Sequence, residues 1–128
     1  MSLREQIRIL VVDDMAVSRG LLTQALDQLR IDNYRYVGNG QEAIDFLNKT
    51  PVHLVISDYN MPVMDGLGLL KTIRTTAALA KLGFIMVTGS EDNSLIQKGA
   101  ALGMNNFLRK PFDATGLQHC IEKVFGRL

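Results

Sequence analysis

The sequence is almost without cysteine: Cys120 is alone among 128 residues. It has no partner for an internal disulfide, which fits a reducing compartment. Net charge is nearly absent too. Fourteen Lys and Arg stand against 13 Asp and Glu, a balance of +1, so no broad field calls for nucleic acid or an anionic membrane as partner. No apolar run reaches the ~20 residues that span a bilayer. The opening MSLREQIRIL lacks the continuous apolar segment of a secretion signal. No low-complexity tract, linker or charge block divides the chain. The expectation is one cytoplasmic domain over residues 1–128, with no second domain for output.

What is present is ordinary in amount and ordered in pattern: 47% hydrophobic and 21% charged residues. Five apolar runs read as strands, Ile7–Val12, Tyr34–Val37, Leu54–Ser57, Phe84–Val87 and Asn106–Arg109. The first, third and fourth are near-continuous in Val, Ile and Leu, as strands buried on both faces are. The second, YRYV, is polar and alternating and suits a sheet edge; the fifth is the weakest. Helical spacing links Val17, Leu21, Ala25 and Leu29, then Ala43, Ile44 and Leu47, then Leu67, Leu70 and Ile73, then Leu117, Ile121 and Val124. Asp65 and Asp113 stand where N-caps belong, and Gly103 suits the end of a helix near Asp92–Leu102.

A β-α unit repeated five times argues for a doubly wound α/β fold, a five-stranded parallel sheet flanked by five helices. Crossovers of one hand bring every carboxyl end to one edge. The residues just past the runs are then Asp13 and Asp14, Asp58, Thr88, and Lys110 before Pro111. In the flavodoxin-like order 2-1-3-4-5 the strand order reverses between the first and third strands, where such sheets bind ligands. Asp13, Asp14 and Asp58 would meet there. Each carboxylate pair at ~4 Å costs roughly 1 kcal/mol in water and roughly 4 kcal/mol at an effective dielectric of 20. Either a carboxyl takes a proton or a cation neutralises the group. Oxygen ligands without Cys or His favour Mg²⁺ over Zn²⁺. Lys110 can hold an anion as a point charge, Thr88 offers a hydroxyl, and Gly89 leaves space beside it. Metal, lysine, hydroxyl and a carboxylate nucleophile describe phosphoryl chemistry on an aspartate. Singly these residues read as caps, turns or solvated charge; together they occupy four strand ends of one edge.

The chain resembles the receiver domain of two-component response regulators, and among them the stand-alone chemotaxis regulators of CheY type. The resemblance rests on SDYNMPVMDGLGLLKTIR at 57–74, with VVDD at 11–14, VTGS at 87–90 and LRKPF at 108–112 in the same order. It covers essentially the whole chain, and the strand order assumed above is the family's own. It implies that Asp58 accepts the phosphoryl group, that Asp13, Asp14, Asp58 and the Asn60 backbone carbonyl hold Mg²⁺, and that Lys110 pairs with the phosphoryl oxygens. It makes Thr88 the switch hydroxyl, Phe107 the aromatic switch, and the bond before Pro111 cis. It implies a monomeric switch rather than a turnover enzyme. Its donor would be a sensor histidine kinase of CheA type, and its target a downstream protein such as the flagellar motor switch. The face that changes would include Leu95, Ile96, Met104 and Asn106. Two departures stand out. Phe107 replaces a common tyrosine and offers a partner no hydroxyl. Ser90, two past Thr88, is small, which admits water and predicts fast self-dephosphorylation.

Rival readings are weaker. GNGQEA at 38–43 matches G-x-G-x-x-A with Asp58 twenty residues on, but it follows the second run rather than the first, so no NAD binding is expected. A Mg²⁺-dependent aspartyl-phosphate phosphohydrolase would want D-x-D and a cap domain. A phosphate sink or shuttle without motor binding stays open as an alternative. His53 and His119 lack a second ligand at metal spacing.

Overall fold

A computed structural model describes residues 2–89 and 93–128. Five strands, β1 (Ile9–Val12), β2 (Tyr34–Val37), β3 (Leu54–Asp58), β4 (Gly83–Thr88) and β5 (Asn106–Arg109), form one sheet in the order β2-β1-β3-β4-β5, all pairs parallel. The expected topology stands. β1, β3 and β4 are buried at every position, whereas β2 leaves Arg35 and Tyr36 exposed at the sheet edge.

Among the described residues six helices flank the sheet, not five: α1 (Leu3–Gln6), α2 (Ala16–Gln28), α3 (Gly40–Lys49), α4 (Gly66–Thr75), α5 (Asn93–Ala101) and α6 (Ala114–Phe125). The extra one, α1, is a single turn, too short for its period to register in sequence. The caps follow residue chemistry. Asp65 Oδ1 accepts the Gly68 N–H at 2.8 Å and Asp113 Oδ1 the Gly116 N–H at 2.7 Å. Asn39 takes the Glu42 N–H at 2.8 Å while Glu42 reaches back to the Gly38 N–H at 2.9 Å. α5 ends in a Schellman turn: Met104 N–H meets Gly99 O and Gly103 N–H meets Ala100 O, with Gly103 at φ +95°. Asp92, expected to open that helix, lies outside the described residues.

Alternation along the strands splits the core. Ile9, Val11, Leu54, Ile56, Ile85 and Val87 face α2 and α6; Leu10, Val12, Val55, Phe84 and Met86 face α3 and α4, with α5 beside α4. One expected stripe is corrected. Val17 and Leu21 of α2 are 77% and 53% exposed, and Leu22, Ala25, Leu26 and Leu29 make its core face. Steps of four slip about 40° each around a helix, so a line of such steps leaves the core within a few turns. At the amino edge, Arg74 of α4 closes the structure. Its guanidinium donates to the carbonyls of Ala80, Leu82 and Gly103 and to Asn105 Oδ1. Burial lowers its pKa, and those oxygens stand in for the lost water.

Candidate functional site

The parallel sheet sends β1, β3, β4 and β5 out at one edge, and the polar residues buried in this molecule collect there. Asp13 is fully buried, Asp58 and Thr88 nearly so, and Asp14 is exposed. Ligand oxygens of Asp13, Asp14 and Asp58 lie within 4.8 Å of one another. Lys110, one residue past β5, places Nζ 3.0 Å from Asp58 Oδ1. Its own N–H bonds the Thr88 carbonyl at 2.9 Å, which ties the β5 exit to the end of β4. The Lys110–Pro111 bond is cis, as expected. Gly89 is exposed, and among the described residues a Cβ there would meet nothing within 4 Å.

Asp13 is held rigidly by its backbone. Its N–H bonds Val37 O at 3.2 Å, and its Oδ1 accepts the Met15 N–H at 2.9 Å, turning the chain into α2. That is the turn role of a strand-end aspartate rather than an N-cap, which here is Met15 with no side-chain bond. The other oxygen of Asp13, Oδ2, is buried with no hydrogen-bond partner among the described residues. A buried carboxylate oxygen left unpaired is costly, and a hard cation on the Asp13, Asp14 and Asp58 oxygens would relieve it. The residues present therefore fit a Mg²⁺-type ion.

Burial raises the pKa of Asp58 above the usual carboxylate range; the Lys110 ammonium opposes this and the Asp13 charge adds to it.

Asn60 is exposed just beyond β3, in the loop that carries Val63 at φ +69°. Phe107 sits on β5, half-buried against the α3–α4 face, with the Arg109 guanidinium 5.6 Å from its ring centre. Of the four residues expected on a shared partner face, Leu95 is corrected: it is 6% exposed and presents no side chain to solvent in this state. Ile96, Met104 and Asn106 are half-buried, and Asn106 bonds the Cys120 carbonyl and the Phe107 N–H. Ser90 lies outside the described residues. In the G-x-G-x-x-A stretch, Asn39 caps α3 and Gly40 is pressed against Met64, where a Cβ would come within 2.7 Å of Sδ. His53 Nδ1 accepts the Arg8 N–H at 2.9 Å.

Sequence reading missed an apolar groove beside the site. Met15, Val17, Ser18 and Leu21 of the α2 end face Lys110, Pro111 and Phe112 across an open cavity of about 490 Å³. The signal was available: Val17 and Leu21 fit no core stripe that also holds Leu22 and Leu26.

Comparison with known proteins agrees with this geometry. A family model described as the response regulator receiver domain matches residues 9–122. The chain is 44% identical over 128 residues to a Rhizobium etli protein named Probable chemotaxis protein CheY, covering 100% of this chain and 99% of that one. It is 34% identical over 126 residues to Chemotaxis protein CheY-3 of Vibrio cholerae, covering 98% and 97%. Among solved structures, chemotaxis response regulator CheY4 of Vibrio cholerae superposes with a TM-score of 0.84 at 28% identity, over 92% of this chain and 98% of that one. Among the described residues no helix is long and apolar enough to cross a membrane.

Proposed function

The chain belongs to the response regulator receiver family, and we propose that it is a stand-alone phosphorylation switch of chemotaxis signalling, acting in the cytoplasm as a monomer and passing its output through protein contacts. Asp58 is the phosphoacceptor. One of its oxygens attacks the phosphorus of a kinase phosphohistidine; the P–N bond breaks and the imidazole departs with the electron pair. Asp13, Asp14, Asp58 and the Asn60 carbonyl would hold Mg²⁺, which when bound would supply positive charge against the incoming phosphoryl group. Lys110 exchanges its bond to Asp58 for one to a phosphoryl oxygen. The Thr88 hydroxyl then donates to the phosphoryl group, and Phe107 follows into the space behind it. The surface that changes is drawn from Ile96, Met104 and Asn106.

The observation that carries this reading is the 3.0 Å Lys110–Asp58 pair beside the buried, half-satisfied Asp13. The groove at Val17 and Leu21 supports a protein donor, because its apolar lining gives a kinase domain a seat next to the nucleophile. The relatives' names carry chemotaxis; a histidine kinase of CheA type as donor and the flagellar motor switch as target are this reading's own partners. A phosphate sink is the second reading, and the missing hydroxyl at Phe107 favours it.

Labelling by acetyl phosphate tests the chemistry. With Mg²⁺ the chain should take up close to one phosphoryl group and then lose it; chelation or Asp58→Asn should abolish uptake. Undiminished labelling of Asp58→Asn refutes the assignment, and continuous turnover of small phosphate esters would mark a phosphohydrolase instead.

A further inference from the structure

Arg19 and Tyr36 lie outside the constellation above, yet they are joined to its most buried member. Arg19, in the first turn of α2, donates from Nη1 to the Asp13 carbonyl at 3.1 Å. Its guanidinium stands 4.8 Å from the ring centre of Tyr36 on the edge strand β2. Tyr36 is 58% exposed and pairs in register with Val11, so its ring is no part of the core. Among the described residues no carboxylate pairs with Arg19. The guanidinium thus has two holds, a backbone carbonyl and an aromatic face, a geometry that suits a planar cation. The next peptide along β2 takes the other end of the same residue, since Val37 O accepts the Asp13 N–H at 3.2 Å. Both backbone polar groups of Asp13 are therefore referred to a strand that contributes no ligand, and Asp13 Oδ2 is left unpartnered and buried.

We propose that Arg19 and Tyr36 are positioning residues for the divalent cation: the Tyr36 ring holds the Arg19 guanidinium on the Asp13 carbonyl, and this fixes the aspartate pair for binding. The proposal rests on the receiver reading. Its sign is distinctive. A guanidinium repels a divalent cation, so if Arg19 acted by charge alone its removal would tighten Mg²⁺ binding. A positioning role predicts the opposite, because groups that orient metal ligands typically cost 10–100-fold in affinity when lost.

The test is Mg²⁺ titration calorimetry on the full chain, with melting curves of the metal-free proteins. Arg19→Met should bind Mg²⁺ about tenfold more weakly. Tyr36→Leu, which leaves every charge in place, should weaken binding by a smaller factor, about twofold to fivefold, since a ring-held cation in an exposed site is worth about 0.5–1 kcal/mol. Tyr36→Phe keeps the aromatic face and should match wild type. Tyr36→Leu added to Arg19→Met should weaken binding no further. Acetyl phosphate labelling of Tyr36→Leu should recover at saturating Mg²⁺. The inference is overturned by an unchanged or tighter Arg19→Met, by an unchanged Tyr36→Leu, by a Tyr36→Phe as weak as Tyr36→Leu, by additive effects, or by labelling that stays slow at saturation. Lowered melting temperatures with unmoved affinity would mark a merely structural pair and also overturn it. A wild-type chain that binds no Mg²⁺ would overturn both this inference and the receiver reading; a binding wild type with unaffected variants removes this inference alone.

Discussion

On one face of the sheet β4 sets Ile85; on the other, one residue later, it sets Met86. That alternation divides the whole interior. Among the described residues, the buried face toward α2 and α6 is built from Ile, Val and Leu, with Cys120 and Ala25 filling between, and contains no methionine. The face toward α3 and α4 contains Met61 and Met86, with Met64, Met104, Tyr59 and Phe107 packed at its rim. Three of these methionines lie against glycines on the helices: Met64 on Gly40, Met86 on Gly66 and Met104 on Gly99. A branched side chain is stiff at χ1, whereas a thioether turns about three bonds and fills irregular space. The face proposed to change shape on phosphorylation is thus the one that sets methionines among its Leu, Val and Ile, and the opposite face supplies the stiffer frame.

Adjacent residues on one strand test that contrast most directly. Ile85→Ala should cost about 4 kcal/mol in urea unfolding and Met86→Ala about 2 kcal/mol, both within the usual range for such truncations, because the methionine side can collapse around the gap. Equal costs would break the comparison. Phe107→Ala should cost about 2 kcal/mol, less than a fully buried ring would, but its sharper readout is the switch. In wild type, Mg²⁺ with beryllofluoride should move amide resonances along α5 and β5; in the variant those shifts should largely vanish. Persistence of the full shifts would place the flexible element elsewhere. The smallest effect is expected at the end of β3, where the two faces meet. Burial raises Asp58 in the native state, so the folded chain favours its neutral form. That contribution is fully present below the unfolded value, about 4, and is lost as pH rises through the elevated native one. In chelator, Asp58→Asn should therefore gain stability relative to wild type from pH 4 to pH 7. A constant difference in urea midpoint would refute the burial argument.

The parts of this molecule that were legible in sequence are those governed by strong, local rules. Unbroken Val, Ile and Leu runs mark β1, β3 and β4, because a strand covered on both faces has no polar side to show. Asp65 and Asp113 announce their helices through their own hydrogen bonds. Asp13, Asp14, Asp58, Thr88 and Lys110 could be grouped by their places at run ends alone, because a parallel sheet sends its exits one way. Other features depend on rotation or on contacts between distant segments. The core face of α2 needed the phase of the helix as well as its period, and Val17 and Leu21 were misplaced by that phase. Leu95 was set on an outer face because Leu95 and Gly99, the buried pair of a nine-residue helix, are too few to set a pattern. Arg19 and Tyr36, seventeen residues apart, read as solvated charge and edge strand until the fold lays one over the other.

Leu3 near the start, and Phe125 and Leu128 near the end, all pack against the stiff face. Cargo joined to either terminus, whether a reporter or a neighbouring module, would be mounted on the back of the device. The adaptable front would stay clear, so a tag at either end should be nearly silent to whatever reads the signal.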